Sequence, residues 1–217
     1  MIEQLLSRPV AAVEAFGDRS DVWLYPEERA AIARAVEPRR REFATVRACA
    51  REAMAALGVP PAPLVPGTGG APRWPAGVVG SMTHCTGYRA AVVALESDLR
   101  SVGIDAEPDV PLPDGVLDVV TLADERSALT AWDHPTANAD TVLFCAKEAF
   151  YKAWFPLTHR FLEFRDVTLA VHVDGTFDAA PRLTAATRGV SWPDGFSGLW
   201  RVEDGLVVAA GTVPAGL

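Results

Sequence analysis

The chain has 217 residues, of which 49% are apolar and 22% charged, a composition typical of globular proteins. Its net charge of −8 argues against broad binding to nucleic acids or membrane surfaces, because both depend on a basic field. The three cysteines, Cys49, Cys85 and Cys145, are too few and too scattered for a disulfide framework and lack metal-ligand spacing. This cysteine usage indicates a reducing compartment.

The first residues, MIEQLLSRPVAAVEAFGD, include an acid at position 3 and no long apolar stretch, which argues against a signal peptide. No uninterrupted apolar run approaches the roughly 18 residues that a membrane span requires. We therefore expect a soluble, cytoplasmic protein with no membrane partner.

Two helices are predicted in the first third of the chain. One begins at Pro26 and covers PEERAAIARAV, with acids suitably placed in its first turn. The other runs from about 39 to 57, where apolar residues recur every three or four positions and Gly58 follows. The proline- and glycine-rich segment PPAPLVPGTGGAPRWPAG then predicts a long irregular loop, and such loops are often functional.

The remaining predicted elements are three strands, then two helices, then further strands. Predicted strands cover 78–84, 88–96, 101–107, 164–173, 197–203 and 206–213, with a further short piece near 182–186. Predicted helices cover 117–131 and 139–155, after a joint rich in proline and aspartate at 108–115. Helices followed by hairpin-like strands in each half predict an α+β fold.

Two acids lie in the predicted strand SVGIDAE. Because side chains alternate along a strand, Asp105 and Glu107 project from one face with Cα atoms about 6.6 Å apart. Neighbouring carboxylates on a buried strand repel each other unless a cation lies between them, and Mg²⁺ suits such a pair. The alternative interpretation is an exposed strand end with two solvated acids.

The predicted helix 139–155 contains a second pair, Glu148 and Lys152, opposite its apolar stripe. A Glu and a Lys at this spacing also form a common helix-stabilising ion pair worth about 0.2–0.5 kcal/mol. Taken together with the strand acids, Glu148 supplies a third carboxylate for a magnesium site with Asp105 and Glu107. Lys152 would then face the same phosphates.

Four ordered segments carry a family resemblance: RRREFATVRACAREAMAALG, WPAGVVGSMTHCTGYRAAVV, SVGIDAE and FCAKEAFYKAW. They resemble the Sfp-type phosphopantetheinyl transferases, and more closely the branch typified by the enterobactin-synthase transferase and its actinobacterial relatives. The similarity covers nearly the whole chain, and four motifs in order are more specific than any one of them.

The resemblance implies a pseudo-symmetric α+β fold of two halves, each a small, mainly antiparallel sheet packed with helices. The N-terminal half would span 1–107 and the C-terminal half 108–217. The implied reaction transfers the 4′-phosphopantetheine arm of coenzyme A to a serine of an acyl or peptidyl carrier protein and releases 3′,5′-ADP. The implied enzyme is of the holo-acyl-carrier-protein synthase type, with Mg²⁺ as cofactor and apo carrier proteins as partners. Because the cleft lies within one chain, a monomer is expected.

The resemblance also assigns roles to single residues. Asp105, Glu107 and Glu148 match the metal-binding acids, with Glu148 as general base and Lys152 neutralising the diphosphate. The implied coenzyme A contacts are basic or hydroxyl side chains: Arg39, Arg47, Arg73, Thr83, His84, Lys147 and Lys152. Among them, Arg39 and Arg47 match arginines near the 3′-phosphate.

The loop at 66–73 departs from the family pattern. Relatives usually carry a basic residue there that helps to hold the coenzyme A phosphates, whereas this chain offers only Arg73 and no lysine. Arg73 substitutes from a shifted position, or the other cations carry the binding. Two further functions stay open: a catalytically weak homologue that binds coenzyme A and carrier proteins, and a magnesium-dependent phosphohydrolase.

Two smaller expectations concern the surroundings of the site. His84 and Cys85 are neighbours on a strand and point to opposite faces, which argues against a cysteine–histidine nucleophile. Carrier docking is predicted after the Glu–Lys helix, at an apolar patch with a local cation: Phe155, Pro156, Leu157 and Arg160.

Overall fold

The computed structural model describes residues 1–7, 9–192 and 195–216 and contains two antiparallel sheets. The first sheet has the strand order β1-β3-β2, with β1 at Ala11–Ala15, β2 at Val78–Cys85 and β3 at Tyr88–Leu95. The second has the order β4-β8-β7-β6-β5. Its strands are β4 Leu99–Pro108, β5 Val167–Val171, β6 Thr176–Pro181, β7 Phe196–Glu203 and β8 Leu206–Pro214. This architecture confirms the predicted α+β class.

The helices are α1 Pro26–Ala31, α2 Glu37–Ala56, α3 Val116–Val120, α4 Ala123–Thr130 and α5 Ala139–Thr158. The single helix predicted at 117–131 is therefore wrong, because α3 and α4 are separate. Thr121 is extended (φ −109°, ψ 150°), and the Leu122 amide donates to the Glu125 side chain at the start of α4. Within the described residues, no helix combines the length and the apolar character needed to cross a bilayer.

Strand β3 explains how the first sheet is buried on both faces. Its residues Ala91 and Val93 pack against α2, where Ala50 and Ala53 point inward. Its alternate residues face a second core that includes β4 and β8. Helix α5 covers the opposite face of the second sheet. The layers are thus α2, first sheet, second sheet and α5.

Strand β4 lies where the two sheets meet. It pairs antiparallel with β8, with Asp105 opposite Ala209. The predicted N-terminal half, which ends at residue 107, therefore shares this strand with the sheet of the C-terminal half. On its other side, the Ile104 amide donates to the Ser81 hydroxyl of β2 at 3.1 Å. Residues 101–107 thus belong to the second sheet by hydrogen bonding and also contact the first.

Gly103 allows α5 to lie directly on β4. A Cβ atom at this position would stand 1.9 Å from the Ala149 carbonyl oxygen, so any side chain would push the helix away. The alternation predicted for SVGIDAE puts Asp105 on the same face as Gly103. The close approach at Gly103 therefore brings Asp105 against α5.

Candidate active site

The Asp105 carboxylate on β4 is only 4% exposed and contacts side chains of β2 and α5. Its Oδ1 atom accepts hydrogen bonds from Lys152 Nζ at 2.6 Å and from Thr83 Oγ1 at 2.9 Å. Within the described residues its Oδ2 atom is buried and has no hydrogen-bond partner. A buried carboxylate oxygen without a partner is costly, so Oδ2 is a candidate ligand for a cation.

Glu107 and Glu148 are close enough to Asp105 to feel its charge. Burial raises the pKa of Glu107 to about 7, and the Asp105 carboxylate adds to this rise. Burial also raises the pKa of Glu148, again with a contribution from Asp105. The structure therefore brings the three predicted acids together, and their mutual repulsion favours a bound cation.

The donor set fits Mg²⁺ chemically. Among the described residues no three acidic, histidine or cysteine side chains stand in a ready-made metal-binding arrangement. Mg²⁺ does not require one, because it binds through one or two carboxylates and fills its other positions with water and phosphate oxygens. The partnerless Asp105 Oδ2 and the raised pKa values of Glu107 and Glu148 match that requirement.

The pKa of Glu107 makes stability depend on pH. Its folded-state pKa of about 7 lies above the ordinary value of 4.5, so between these values the folded chain holds a proton that the unfolded chain has lost. Stability therefore falls as the pH rises through this window. We expect the thermal unfolding midpoint of metal-free protein to decrease between pH 5 and pH 7 in calorimetry.

Glu107→Gln is the matched variant for this pH effect, because the amide cannot ionise. Its unfolding midpoint should change less than that of the wild type over the same range. Mg²⁺ should also reduce the decrease, since it binds the ionised carboxylate. Parallel pH profiles for the two proteins would contradict the assignment.

Lys152 is held in its charged form beside Asp105. Burial acts to lower the pKa of Lys152, but the Asp105 carboxylate outweighs it and the pKa is raised. Lys152 Nζ also donates to Thr83 Oγ1 at 3.3 Å. Since the buried Thr83 hydroxyl is engaged with Asp105 and Lys152, it orients the acid cluster in this structure, and its predicted phosphate contact stays a prediction.

A basic group lies on α2 and at the end of β2. Arg39 and Arg47 are two turns apart on one face of α2, and Arg39 contacts the His84 ring. Burial lowers the pKa of Arg47 to about 10, and its guanidinium stacks 3.4 Å above Phe43. Arg39 also pairs with Glu42 at 3.2 Å, and Arg47 Nε donates to the Leu64 carbonyl at 3.1 Å. Within the described part of the chain Arg47 makes no ion pair, so its charge can accept an anion.

Lys147 lies in a different place from the one predicted. It is 2% exposed, and its ammonium donates to the Glu125 carboxylate at 2.7 Å and to the Val120 and Phe164 carbonyls at 2.8 and 3.0 Å. A contact with coenzyme A phosphates is not compatible with this placement, because every donor is used inside the protein. The prediction failed because Lys147 and Glu148, adjacent in sequence, point about 100° apart around a helix.

The loop that precedes β2 lies against α5. A Cβ atom at Gly69 would stand 2.6 Å from Phe155 Cζ, and Gly69 has a φ of 65°, so glycine is required there. The Arg73 side chain folds over Gly67 and lines the same cavity as Glu148 and Lys152. The one basic residue of the loop thus borders the same cavity as two residues of the predicted site, and its contact with coenzyme A phosphates stays a prediction.

Two cavities adjoin Glu148 of the acid cluster. The first, here called the loop cavity, has a volume of about 660 Å³ between the 67–74 loop and α5. The second, here called the apolar cavity, has about 490 Å³. Its walls come mainly from Val119, Phe161, Leu162, Phe164 and Val167, and Lys147, Glu163 and Arg165 also border it.

Glu148 and Tyr151 line both cavities. Glu148, the predicted general base, therefore lies between the two cavities. The sequence interpretation gave Tyr151 no role. Its position three residues after Glu148, on nearly the same helix face, was the available signal.

Two other predicted features can be placed. The Cys85 thiol has its pKa raised to about 12 by burial and by the Glu107 charge, which leaves no thiolate at neutral pH and agrees with excluding a cysteine nucleophile. Of the predicted docking residues, Phe155 is buried against Gly69 and cannot meet a partner. Pro156 and Arg160 are exposed, and docking there stays a prediction.

Comparisons with known proteins agree along the chain. Residues 27–94 match the family model of the 4′-phosphopantetheinyl transferase N-terminal domain, and residues 101–208 match that of the 4′-phosphopantetheinyl transferase superfamily. The chain is 51% identical to the 4′-phosphopantetheinyl transferase Svp of Streptomyces mobaraensis, over 99% of this chain and 90% of that protein.

Two further relatives have the same description. The 4′-phosphopantetheinyl transferase PptT of Mycobacterium tuberculosis is 47% identical over 93% of this chain and 91% of its own length. The 4′-phosphopantetheinyl transferase Npt of Nocardia iowensis is 44% identical over 97% of this chain and 98% of its own length.

Proposed function

The chain belongs to the 4′-phosphopantetheinyl transferase superfamily and transfers the phosphopantetheine group of coenzyme A to carrier proteins, and we propose that the Asp105 cluster is where it does so. The acceptor would be a serine hydroxyl of an acyl or peptidyl carrier protein, as in the holo-acyl-carrier-protein synthase type. The leaving group would be 3′,5′-ADP. One observation carries the proposal: Asp105 pairs with Lys152 through Oδ1 while its buried Oδ2 has no partner within the described residues.

The residues that would hold Mg²⁺ are Asp105, Glu107 and Glu148. When bound, the ion would supply Lewis-acid polarisation of the diphosphate. Lys152, kept charged by Asp105, neutralises negative charge on the phosphates as the bond to the leaving group breaks. Glu148 takes the proton of the serine hydroxyl, and its raised pKa brings it closer to the neutral range in which a general base works best.

The two cavities suit different parts of coenzyme A. The loop cavity contains Lys152 and Arg73 and therefore suits the diphosphate. The anion-accepting group of Arg39, Arg47 and His84 suits the 3′-phosphate. The apolar cavity begins on the other side of Glu148 and suits the uncharged pantetheine arm.

The decisive experiment is mass spectrometry of an apo carrier protein incubated with the chain, coenzyme A and Mg²⁺. Transfer adds the arm, an increase of about 340 Da on the carrier serine. A catalytically weak homologue would leave the carrier unchanged at stoichiometric enzyme. A phosphohydrolase would cleave coenzyme A when no carrier is present, and either result would contradict the proposal.

Arg73 is expected to replace the basic loop residue of the relatives. Removing its charge with Arg73→Gln should raise the KM for coenzyme A roughly tenfold, because a charge-assisted hydrogen bond to phosphate is lost. The kcat should change much less. Steady-state kinetics at varied coenzyme A concentration would measure both constants.

Arg188→Gln is the matched control for Arg73→Gln, because Arg188 is also exposed but lies far along the chain beyond β6. Its KM for coenzyme A should equal that of the wild type. If Arg73→Gln behaved like this control, the phosphates would be held by the other cations alone.

A further inference from the structure

The Lys147 ammonium joins segments that are distant in sequence. It donates to the Val120 carbonyl at the end of α3, to the Glu125 carboxylate of α4 and to the Phe164 carbonyl before β5. Lys147 is 2% exposed and Glu125 is 5% exposed, so the ion pair is fully within the protein. One side chain of α5 thus holds the backbone of two other segments.

The Glu125 carboxylate extends the same network. Its Oε2 atom accepts the Leu122 amide at 2.7 Å as well as the Lys147 ammonium. Its Oε1 atom accepts the Leu169 amide of β5 at 2.8 Å. Both carboxylate oxygens are therefore used, and the start of α4 is tied to the second sheet.

These anchored segments form the walls of the apolar cavity. Val119 precedes the anchored Val120 and lines the cavity, as do Phe164 itself and Val167. The next residue after Lys147 is Glu148, which faces the cavity from α5. Lys147 therefore fixes the distance between the helix that carries Glu148 and the opposite walls.

Stability alone does not explain a charged pair at this place. Desolvation offsets most of the attraction within a buried ion pair, and an apolar pair of similar volume often stabilises as well. What an apolar pair lacks is directional hydrogen bonds. Lys147 supplies three of them, to Val120, Glu125 and Phe164.

We propose that Lys147 is a positioning residue, which holds the Val120 and Phe164 segments so that the apolar cavity keeps the shape that receives the pantetheine arm. This inference rests on the proposed function, in which that cavity takes the arm. Lys147 itself borders the cavity, but its ammonium is fully engaged with Val120, Glu125 and Phe164 and has no donor left for the arm. It acts through the walls that it anchors.

The test compares two ligands that differ by the arm, coenzyme A and 3′,5′-ADP, in isothermal titration calorimetry. In Lys147→Met the Kd for coenzyme A should rise about tenfold while that for 3′,5′-ADP stays within about twofold, because only the arm meets the loosened walls. Steady-state kinetics should show the same change as a higher KM for coenzyme A. Equal changes for both ligands, or no change for either, would overturn the proposal.

A second variant tests the same role in case Lys147→Met does not fold. Lys147→Met with Glu125→Gln removes both charges, so no unpaired charge remains buried. It should show the same selective loss for coenzyme A. If both variants failed to fold, the pair would have a purely structural role and the proposal would be wrong.

Phe177→Leu is the stability control, because Phe177 is buried in β6 and lines neither cavity. At a comparable loss of thermal stability, its Kd ratio for the two ligands should equal that of the wild type. The mass-spectrometric carrier assay on the wild type distinguishes a failure of the proposed function from a failure of the positioning role. If it transfers the arm and Lys147→Met leaves the ratio unchanged, only the positioning role fails.

Discussion

Glu148→Gln is expected to slow phosphopantetheine transfer by about 10²–10⁴-fold, the range typical of a lost general base. The amide keeps the size of the side chain but cannot take the serine proton. Because burial and the Asp105 charge disfavour the ionised Glu148, the variant should be at least as stable as the wild type. Mass spectrometry of the carrier gives the rate, and thermal unfolding gives the stability.

Glu27→Gln is the control for this variant, because Glu27 is exposed in the first turn of α1. It should transfer the arm at the wild-type rate. If Glu148 acts as the base, raising the Mg²⁺ concentration will not restore Glu148→Gln. Recovery at high Mg²⁺ would leave Glu148 with a ligand role only, and a near-normal rate would remove it from the mechanism.

Asp105→Asn should lower kcat/KM by roughly 10²–10³-fold, since one change removes a metal ligand and the counter-charge of Lys152. Without Asp105, burial of Lys152 is no longer outweighed, and its pKa should fall. The variant should also lose stabilisation by Mg²⁺, because a ligand that binds only the folded state raises its stability. Thermal unfolding with and without Mg²⁺ measures this loss.

Asp124→Asn serves as the control for Asp105→Asn, because Asp124 is exposed on α4. It should keep the activity and the Mg²⁺-dependent increase in unfolding temperature. Unlike Glu148→Gln, Asp105→Asn should regain part of its activity when Mg²⁺ is raised, since weaker metal binding is then overcome by mass action. An unchanged Mg²⁺ response in Asp105→Asn would contradict the metal assignment.

Most strands and helices were predictable because their apolar periodicity is strong. Strands β1 and β6 were missed, and both are short. In β1 the acidic Glu14 interrupts the pattern, and its carboxylate contacts the Tyr88 hydroxyl of β3. A local sequence pattern does not contain the contact between Glu14 and Tyr88, because the two residues are 74 positions apart.

The chain sequence alone determined which acids share a face. Alternation in SVGIDAE placed Asp105 and Glu107 together, and the spacing of Glu148 and Lys152 placed them one turn apart, because these are properties of a single strand or helix. The family resemblance joined the two pairs into one predicted site.

Only the tertiary structure decided what each side of α5 meets. Gly103 admits the helix onto β4, which brings Lys152 to Asp105. The same placement turns Lys147 toward Glu125 and away from the predicted phosphates. Local periodicity fixes the angle between neighbouring side chains, whereas the surface that each one faces depends on contacts between residues 22 and 47 positions apart.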